Sequence, residues 1–555
     1  MQRLFVFVVL TAAMLTSFGY ARAQDHGSAS LTGIVSSDAE GPMEGVLVSA
    51  KGLGSTITVT VISDSQWHYS FPAGRLEPGK YRLAIRAAGY ELNDPGLVEV
   101  AENETATLNL KLNQTQDFAS QLSNTEWLLS VPGSSEEQKG GLYRCVSCHS
   151  LDTILQSRYD AKGFVPTIER MRNHTPGSMI VKLGNIRIPY DRVKMADHVP
   201  ARPGDAALAE YLATINLSKD GKRNYELKTL PRPKGKATRV IITQYDLPSP
   251  IAMPHDAAVD REGMVWYADF ARPRMGRLNP RTGGVTEWPL PVVRPGFPEG
   301  SVEMDIDSEG NPWIGRLFQG GVAKFDKKTE KVTAWGVPEE LLAGGVNVRT
   351  GMVSVARDGT VWTKSNQNEK LYKLDTETNQ WTSSPLPKGM GWYGMAVNSV
   401  GNVYVFSIGK GAVGELDVSA GKREFVVYPT PTPNSGSRRG ATDLQGRAWF
   451  AEFYSGKIGM FDPKTKAIRE WDASTEPYAG SYDVVPDKNG EAWAGGMHSD
   501  RIYRVNSTSG QVTAYLLPDL GTNIRRMDVD NSTTPVTVWI GQNHHARILK
   551  LEPVD

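Results

Sequence analysis

Short runs of alternating apolar and polar residues, separated by Gly, Pro and Asp turns, dominate the first hundred residues of this chain. Such a period of two predicts strands with one buried face. Six runs of this kind occur close together, and they predict a small β-sandwich over residues 27–114. The runs are 31–35, 46–50, 56–61, 68–71, 81–85 and 106–112.

A longer repeat fills the C-terminal half. Seven short segments with an aromatic residue at their second position begin at Val265, Pro312, Val361, Val403, Ala448, Ala492 and Val538. Successive steps run from 42 residues (Val361 to Val403) to 49 residues (Pro312 to Val361). Each segment follows a turn of the Asp/Asn-x-x-Gly kind. Four short strands per unit, repeated seven times, predict a seven-bladed β-propeller over residues 237–555.

The two ends of this repeat predict how the ring closes. Residues 238–248 fit the fourth strand of a blade but precede the first blade, whereas residues 547–551 fit the third strand of the last one. We therefore expect the early strand to complete the last blade and to leave no open sheet edge.

In residues 120–218 the apolar residues change from alternating to helical spacing. Residues 164–172 have one apolar face, and residues 205–216 begin with Asp205 in the N-cap position. A basic, proline-marked linker at 219–236 leads to the propeller. The fold class is thus multidomain and mainly β, with a sandwich, a small α-helical module and a propeller, as expected for 555 residues.

The helical module contains Cys145-Val-Ser-Cys148-His149, and these are the only two cysteines of the chain. C-x-x-C-H is the attachment motif of c-type haem, in which two thiols add to the vinyl groups and the histidine binds the iron. A zinc site needs further thiols or histidines nearby, and a redox dithiol needs a strand-to-helix context. Here the motif follows a polar stretch and opens a short helical segment.

With its motif and flanking helices, this module resembles the small monohaem cytochrome c domains. The resemblance implies one covalent haem c, with Cys145, Cys148 and His149 as its attachment residues. Met171 is the first choice for the sixth ligand, because Arg170-Met171 resembles a step in cytochrome modules fused to periplasmic dehydrogenases. The alternatives are Met179, Met195, His174 and His198.

The N-terminus predicts export. Residues 2–3 are Gln-Arg, residues 4–15 are apolar, and Ala21-Arg22-Ala23 has the small-x-small pattern of a signal-peptidase site. We expect a signal peptide at 1–23, cleavage near Ala23 and a periplasmic protein. The apolar run is short for a bilayer span, and no later segment is apolar enough, so the mature chain has no predicted integral membrane segment. A formal net charge of zero gives no indication of nucleic-acid binding.

Two further resemblances concern the β regions. The order of strands and Gly/Pro turns in the first resembles the carboxypeptidase regulatory-like domain; carbohydrate binding through Trp67, Tyr69 and Tyr90 is an alternative to core packing there. The repeats VWYADFARPRMGRLNPRTGGVTEWPLP and AWFAEFYSGKIGMFDPKTKAIREW resemble the streptogramin (virginiamycin B) lyase propellers. That resemblance implies a magnesium ion held by acidic residues and a histidine base. Glu452 matches an acidic position, but Ser437-Arg-Arg-Gly replaces the expected Glu-x-His arrangement.

The repeat register predicts which side chains surround one mouth of the propeller. Charged residues there divide into an acidic side on blades one and two and a basic side on blades five and seven, which suits a polar or anionic ligand bound by arginines. The alternative is that these side chains only pair with one another. Candidate catalytic residues are His255, Glu452 and Arg439, and candidate substrate-binding residues are Asp256, Asp269, Glu303, Tyr393, Arg438, Tyr482 and Arg526.

Together these features predict an exported c-type cytochrome with electron-transfer activity, a periplasmic oxidoreductase whose haem module accepts or relays electrons for a ligand-binding propeller. Its expected partners are a redox protein, as electron acceptor or donor, and a small polar or anionic ligand. One alternative is a metal-dependent C–O lyase or hydrolase, and another is a non-enzymatic binding module. A divalent metal ion or a quinone cofactor in the propeller remains open.

Overall fold

The structure is a computed structural model that describes residues 29–133, 136–173, 179–181, 184–186, 202–342, 349–365, 367–474 and 476–554. The predicted signal peptide therefore lies outside the described residues. Among the described residues, no helix combines the length and apolar character needed to cross a membrane.

The N-terminal region is a β domain, as predicted. Its strands are β1 (Ala29–Ser37), β2 (Gly41–Pro42), β3 (Leu47–Gly52), β4 (Ile57–Ile62), β5 (His68–Pro72), β6 (Gly79–Arg86), β7 (Tyr90–Leu92), β8 (Leu97–Val100), β9 (Ala106–Thr107) and β10 (Leu110–Gln114). One sheet is built around β1, and β4-β3-β6-β8 run in order in the other. The predicted strand 106–112 is two strands, because Asn109 turns its side chain to accept a hydrogen bond from Ile34 N. Tyr69 and Tyr90 are core residues, and Trp67 is exposed.

The middle region is mostly helical. Its elements are α1 (Asn124–Ser130), α2 (Glu136–Cys145), α3 (Asp152–Leu155), α4 (Ala161–Arg172), β11 (Met179–Val181), β12 (Gly184–Ile186) and α5 (Asp205–Ile215). Trp127, Leu142, Phe164 and Leu212 share its apolar core.

Two local predictions in this region were wrong. Gly204, not Asp205, is the N-cap of α5; Asp205 lies in the first turn, where it accepts from Arg202 N and pairs with Arg172. The cysteine motif also does not open a helix. It closes α2, and its second half forms a turn in which Cys148 N donates to Cys145 O at 3.2 Å.

The C-terminal region contains six four-stranded sheets and the strands of a seventh. They are β13 (Val240–Asp246), β14 (Pro254–Val259), β15 (Val265–Asp269), β16 (Arg274–Asn279), β17 (Gly284–Pro289), β18 (Val302–Ile306), β19 (Pro312–Arg316), β20 (Gly321–Asp326), β21 (Lys331–Gly336), the helix α6 (Glu339–Leu342), β22 (Ser354–Val355), β23 (Val361–Ser365), β24 (Lys370–Asp375), β25 (Gln380–Pro385), β26 (Trp392–Val397), β27 (Val403–Ser407), β28 (Ala412–Leu416), β29 (Val426–Pro429), β30 (Ser437–Thr442), β31 (Ala448–Glu452), β32 (Lys457–Asp462), β33 (Ala467–Asp472), β34 (Ser481–Pro486), β35 (Glu491–Gly496), β36 (Arg501–Asn506), β37 (Val512–Leu516), β38 (Ile524–Asp530), β39 (Thr537–Gln542) and β40 (Arg547–Pro553).

The repeated aromatic residue has a structural reason. In blade one, the indole N–H of Trp266 donates to the turn carboxylate of Asp260 at 2.9 Å. The same bond recurs in three more blades, between Trp313 and Asp307, Trp449 and Asp443, and Trp493 and Asp487. Because the turn and the strand fix each other, both residues recur with the blade period.

The prediction for closure is confirmed and extended. Strand β13 pairs with β40 along its whole length and thereby completes the seventh blade. Its other edge is not free, however, because it pairs antiparallel with β4 of the N-terminal domain. The seventh blade therefore continues into an eight-stranded sheet that joins propeller and sandwich.

Candidate functional site

β-Bulges place side chains at the mouth of the propeller. The inner strands of six blades each show a register shift close to their first residue. A bulge takes residues out of the ladder and re-aims their side chains. The residues that leave the ladder are His255, Glu303, Tyr393, Arg438, Arg439, Tyr482, Asp483, Arg525 and Arg526. Seven of these nine residues, all but Asp483 and Arg525, are candidate site residues from the sequence, whereas the bulges that present them are not predicted.

Glu303 is the centre of a buried charge cluster. Its carboxylate accepts hydrogen bonds from both Arg439 and Arg526, although these residues lie on different blades. It is 1 % exposed, and its φ of 65° lies in the left-handed region that rarely suits a non-glycine residue. Such strain is tolerated where the surrounding structure holds the residue in place.

Asp256 extends the cluster to blade one. It accepts from His255 Nδ1 at 2.8 Å and from Glu303 N at 2.6 Å, and its second oxygen lies 3.7 Å from Arg439. Burial, only partly opposed by Asp256, lowers the pKa of His255 to about 4, so its imidazole is neutral at physiological pH. The alternative from the sequence, that mouth residues pair with one another, therefore applies to Glu303, which pairs with Arg439 and Arg526, and to Asp256, which bonds to His255.

Arg438 and Arg525 are placed differently. The Arg438 guanidinium lies over the rings of Tyr482, Phe453 and Tyr393, at 4.0, 4.2 and 4.7 Å. Arg525 donates to Asn523 Oδ1 at 2.7 Å and lies over the Tyr482 ring at 5.4 Å. Both arginines are at least nine-tenths buried. None of the groups that accept hydrogen bonds from these two arginines is a carboxylate.

The hydroxyls of Tyr393 and Tyr482 lie 2.8 Å apart beside these arginines. Burial opposes ionisation of Tyr393, but Arg438, Arg439 and Arg525 outweigh it and lower its pKa to about 6. The pKa of Tyr482 is raised, chiefly by burial. The pair therefore holds one negative charge readily, on Tyr393.

The cysteine motif rests directly on this part of the propeller. Asn523 Nδ2 donates to Val146 O and Arg525 Nη2 donates to Ser147 O, each at 2.9 Å. The ring of Tyr143 in α2 stacks on His498 of blade six at 5.0 Å. Asn523 was not predicted as a site residue, and nothing in the sequence marks it except its place just before two arginines.

Within the motif, neither cysteine forms a disulfide and both are partly exposed, whereas His149 is buried. The Nδ1 atom of His149 lies 2.9 Å from Ser150 O. A carbonyl can only accept, so Nδ1 carries the proton and Nε2 keeps its lone pair.

Of the candidate sixth ligands, Met171 lies in the last turn of α4 and is partly buried. His174, Met195 and His198 lie outside the described residues, as does the side chain of Met179. The choice among them stays a prediction.

Two predicted site residues lie apart from the cluster. Asp269 accepts from Met253 N, Ala271 N and Arg272, so it holds the loop after β15 together. Glu452 bonds to Ser455 at 2.9 Å. Burial, together with Glu470, raises the pKa of Glu452 to about 8. Among the described residues, no three His, Cys, Asp or Glu side chains are grouped so that they would hold a metal ion.

Comparisons with known proteins identify the two β regions. Residues 243–478 match the virginiamycin B lyase family, and residues 30–113 match the carboxypeptidase regulatory-like domain. The chain thus carries a virginiamycin B lyase-like propeller and a carboxypeptidase regulatory-like domain. The cysteine motif lies between the two matched ranges, and neither comparison supports a cytochrome c domain.

One solved structure agrees with the propeller fold. A streptogramin B lyase structure is 18 % identical with a TM-score of 0.50, and the match covers 57 % of this chain and 99 % of that one. The virginiamycin B lyase from Staphylococcus aureus is also 18 % identical, with a TM-score of 0.49, and the match covers 56 % and 99 %. Identity this low establishes the fold alone. No curated protein matches the chain.

Proposed function

We propose that this chain is an exported, periplasmic c-type cytochrome. In this proposal the propeller binds a small polar or anionic ligand, and the haem module carries electrons between that site and a redox partner protein. The observation that carries it is the contact between the Val146–Ser147 backbone and the side chains of Asn523 and Arg525. Through this contact the attachment motif lies directly against the mouth residues of the propeller, and it is not held there by a flexible linker alone.

The residues of the motif suit haem. Cys145 and Cys148 are thiols outside any disulfide and partly exposed to solvent, and the lone pair of His149 Nε2 is left for iron. Met171 is our first choice for the ligand on the other side. When bound, haem c supplies a one-electron carrier; the chain itself supplies the anchoring and the fixed orientation of the imidazole.

The mouth residues supply binding and proton handling. Arg438 and Arg525 provide positive charge, and the neutral imidazole of His255, oriented by Asp256, suits a proton acceptor. Arg525 belongs to both parts of the site, since it contacts Ser147 O and lies over Tyr482.

The lyase alternative rests on Glu452. With its pKa near 8, that carboxyl group is mostly protonated at neutral pH, and a divalent ion would first have to displace the proton. Arg438 and Arg439 stand where the family resemblance implies a Glu-x-His pair. We therefore favour electron transfer over metal-dependent elimination.

The first experiment tests covalent haem. The full-length gene is expressed in a bacterial host with cytochrome c maturation machinery, and the purified protein is stained for haem after denaturing electrophoresis. We expect a haem-positive band that is lost in Cys145→Ser/Cys148→Ser and kept in the matched control Ser147→Ala. A haem-free wild-type protein would refute the proposal.

A second experiment tests electron transfer and the sixth ligand. Substrate pools that reduce the haem band support the oxidoreductase proposal, whereas Mg²⁺-dependent turnover without any change in that band supports the lyase. Met171→Ala should abolish a methionine–iron charge-transfer band. If the band persists, the ligand is Met179 or Met195.

A further inference from the structure

The mouth cluster contains more positive than negative charge. Four arginines lie there, Arg438, Arg439, Arg525 and Arg526, against the carboxylates of Asp256 and Glu303. A third acid, Asp483, has its pKa raised to about 7 by burial and is only partly ionised at neutral pH. Two of the four guanidiniums therefore have no fully ionised carboxylate as a counter-charge.

The structure identifies these two as Arg438 and Arg525. Glu303 receives both Arg439 and Arg526, and Asp256 lies beside Arg439. In the part of the chain that the structure describes, neither Arg438 nor Arg525 has a carboxylate within ion-pair distance. Taking a cation out of water without a counter-ion costs several kcal/mol.

Hydrogen bonding shows the same deficit at Arg438. Its Nε atom is buried without a hydrogen-bond partner, and among the described residues its guanidinium donates one hydrogen bond, from Nη2 to the Tyr393 hydroxyl at 3.4 Å. Buried guanidinium donors are normally satisfied. Here three aromatic faces surround a planar fork whose hydrogen-bonding edge is underused.

We propose that Arg438 and Arg525 form a binding site for a small organic carboxylate, beneath the Val146–Ser147 segment. A carboxylate matches the guanidinium fork geometrically and supplies the missing charge. The inference rests on the ligand-binding part of the proposed function and names the class of that ligand. Because Arg525 also holds Ser147 O, the bound carboxylate lies next to the attachment motif.

Ligand binding has a spectroscopic consequence. Without ligand, the ionised form of Tyr393 offsets part of the excess positive charge of the arginines. A bound carboxylate is a second anion beside Tyr393, so it favours the protonated form of the phenol. Binding of a carboxylate should thus take up a proton and decrease the tyrosinate absorbance. The charged or titratable groups that face Tyr393 are Arg438, Arg439, Arg525, Tyr482 and Lys364.

The test uses the full mature chain and calorimetric titration with sodium acetate and sodium benzoate. Acetamide is the neutral control of matched shape, and sodium chloride is the control for a spherical anion. Arg438→Gln and Arg525→Gln should each weaken acetate binding about 10- to 100-fold, as expected for charge-assisted hydrogen bonds. Arg447→Gln, in the same blade but paired with Asp443 at the opposite end, should bind as wild type.

Three results would overturn the inference: acetamide or chloride binding as well as acetate, wild-type affinity in folded Arg438→Gln, or no loss of tyrosinate absorbance on binding. Arg438→Lys is the control for misfolding of Arg438→Gln, because it keeps the positive charge and should still bind acetate, although more weakly than wild type. Haem staining of the same sample separates the two proposals. A haem-free protein that binds acetate refutes electron transfer only, and a haem-loaded protein that does not bind refutes the carboxylate site only.

Discussion

Replacing Glu303 by Gln tests whether the mouth cluster is truly buried. The substitution keeps the size of the side chain but removes a carboxylate that both Arg439 and Arg526 contact. Breaking a buried ion pair from one side typically costs about 3–5 kcal/mol, because the partner charge is left uncompensated. We expect a loss of that size in the free energy of unfolding.

The expected loss converts into a measurable shift. With an unfolding entropy of about 2.1 cal/mol/K per residue, a propeller of roughly 300 residues that loses this free energy should melt lower, so Glu303→Gln should unfold about 5–8 °C below wild type. Calorimetry at neutral pH and low salt measures it, and urea unfolding gives an independent free energy.

Glu262→Gln is the matched control. Its carboxylate lies 2.7 Å from Lys327 Nζ but is 67 % exposed. An exposed pair contributes about 0–1 kcal/mol, so the control should stay close to wild type. If Glu303→Gln loses no more than this control, water reaches the arginines, and both the charge cluster and the argument for unpaired cations fail.

Other consequences follow from single groups. The pKa of Glu452 is raised from 4.5 to about 8, so its contribution to stability is full below pH 4.5 and is lost as the pH rises through 8. Glu452→Gln should therefore have a higher melting temperature than wild type above pH 8 and the same melting temperature in acid. The pKa of Tyr393 falls from 10.0 to about 6, so its contribution to stability is full above pH 10 and is lost as the pH falls through 6. Tyr393→Phe should therefore weaken the dependence of the unfolding free energy on pH and remove the tyrosinate absorbance at neutral pH. Gly440→Ala would place a Cβ 1.7 Å from Trp449 O, and denaturant titration should show a loss above about 2 kcal/mol.

Much of the propeller could be predicted because its determinants are local and repeated. The bond from Trp266 to Asp260 spans six residues and recurs with the blade, so turn and strand are visible together. The pairing of β13 with β40 could be inferred from a surplus strand at one end and a missing one at the other. The pairing of β13 with β4 could not be inferred, since nothing in the sequence of either strand specifies which exposed sheet edge the strand pairs with.

The site was predictable to a similar degree. Counting the register brought His255, Glu303 and Arg438 to one mouth, since equivalent positions of a repeat share one place in the fold. It could not distinguish Glu303, which binds two arginines, from Glu452, which bonds to Ser455 and holds its proton. That difference depends on side-chain direction and burial, and both arise only after the blades have packed.

Charge pairing differs between the arginines of the mouth. Arg439 and Arg526 pair with Glu303, whereas Arg438 and Arg525 have no carboxylate within ion-pair distance among the described residues. Arg316, at the end of β19, is also buried and its guanidinium has no hydrogen-bond partner there, so the place of a ligand is argued from Arg525 and its contact with the cysteine motif. Sequences tend to break such rules of satisfaction at functional sites, where stability is given up for binding. Because Arg525 also holds the backbone of the cysteine motif, the unpaired charge lies where the propeller meets the helical module, and a ligand is expected there and not beside Glu452.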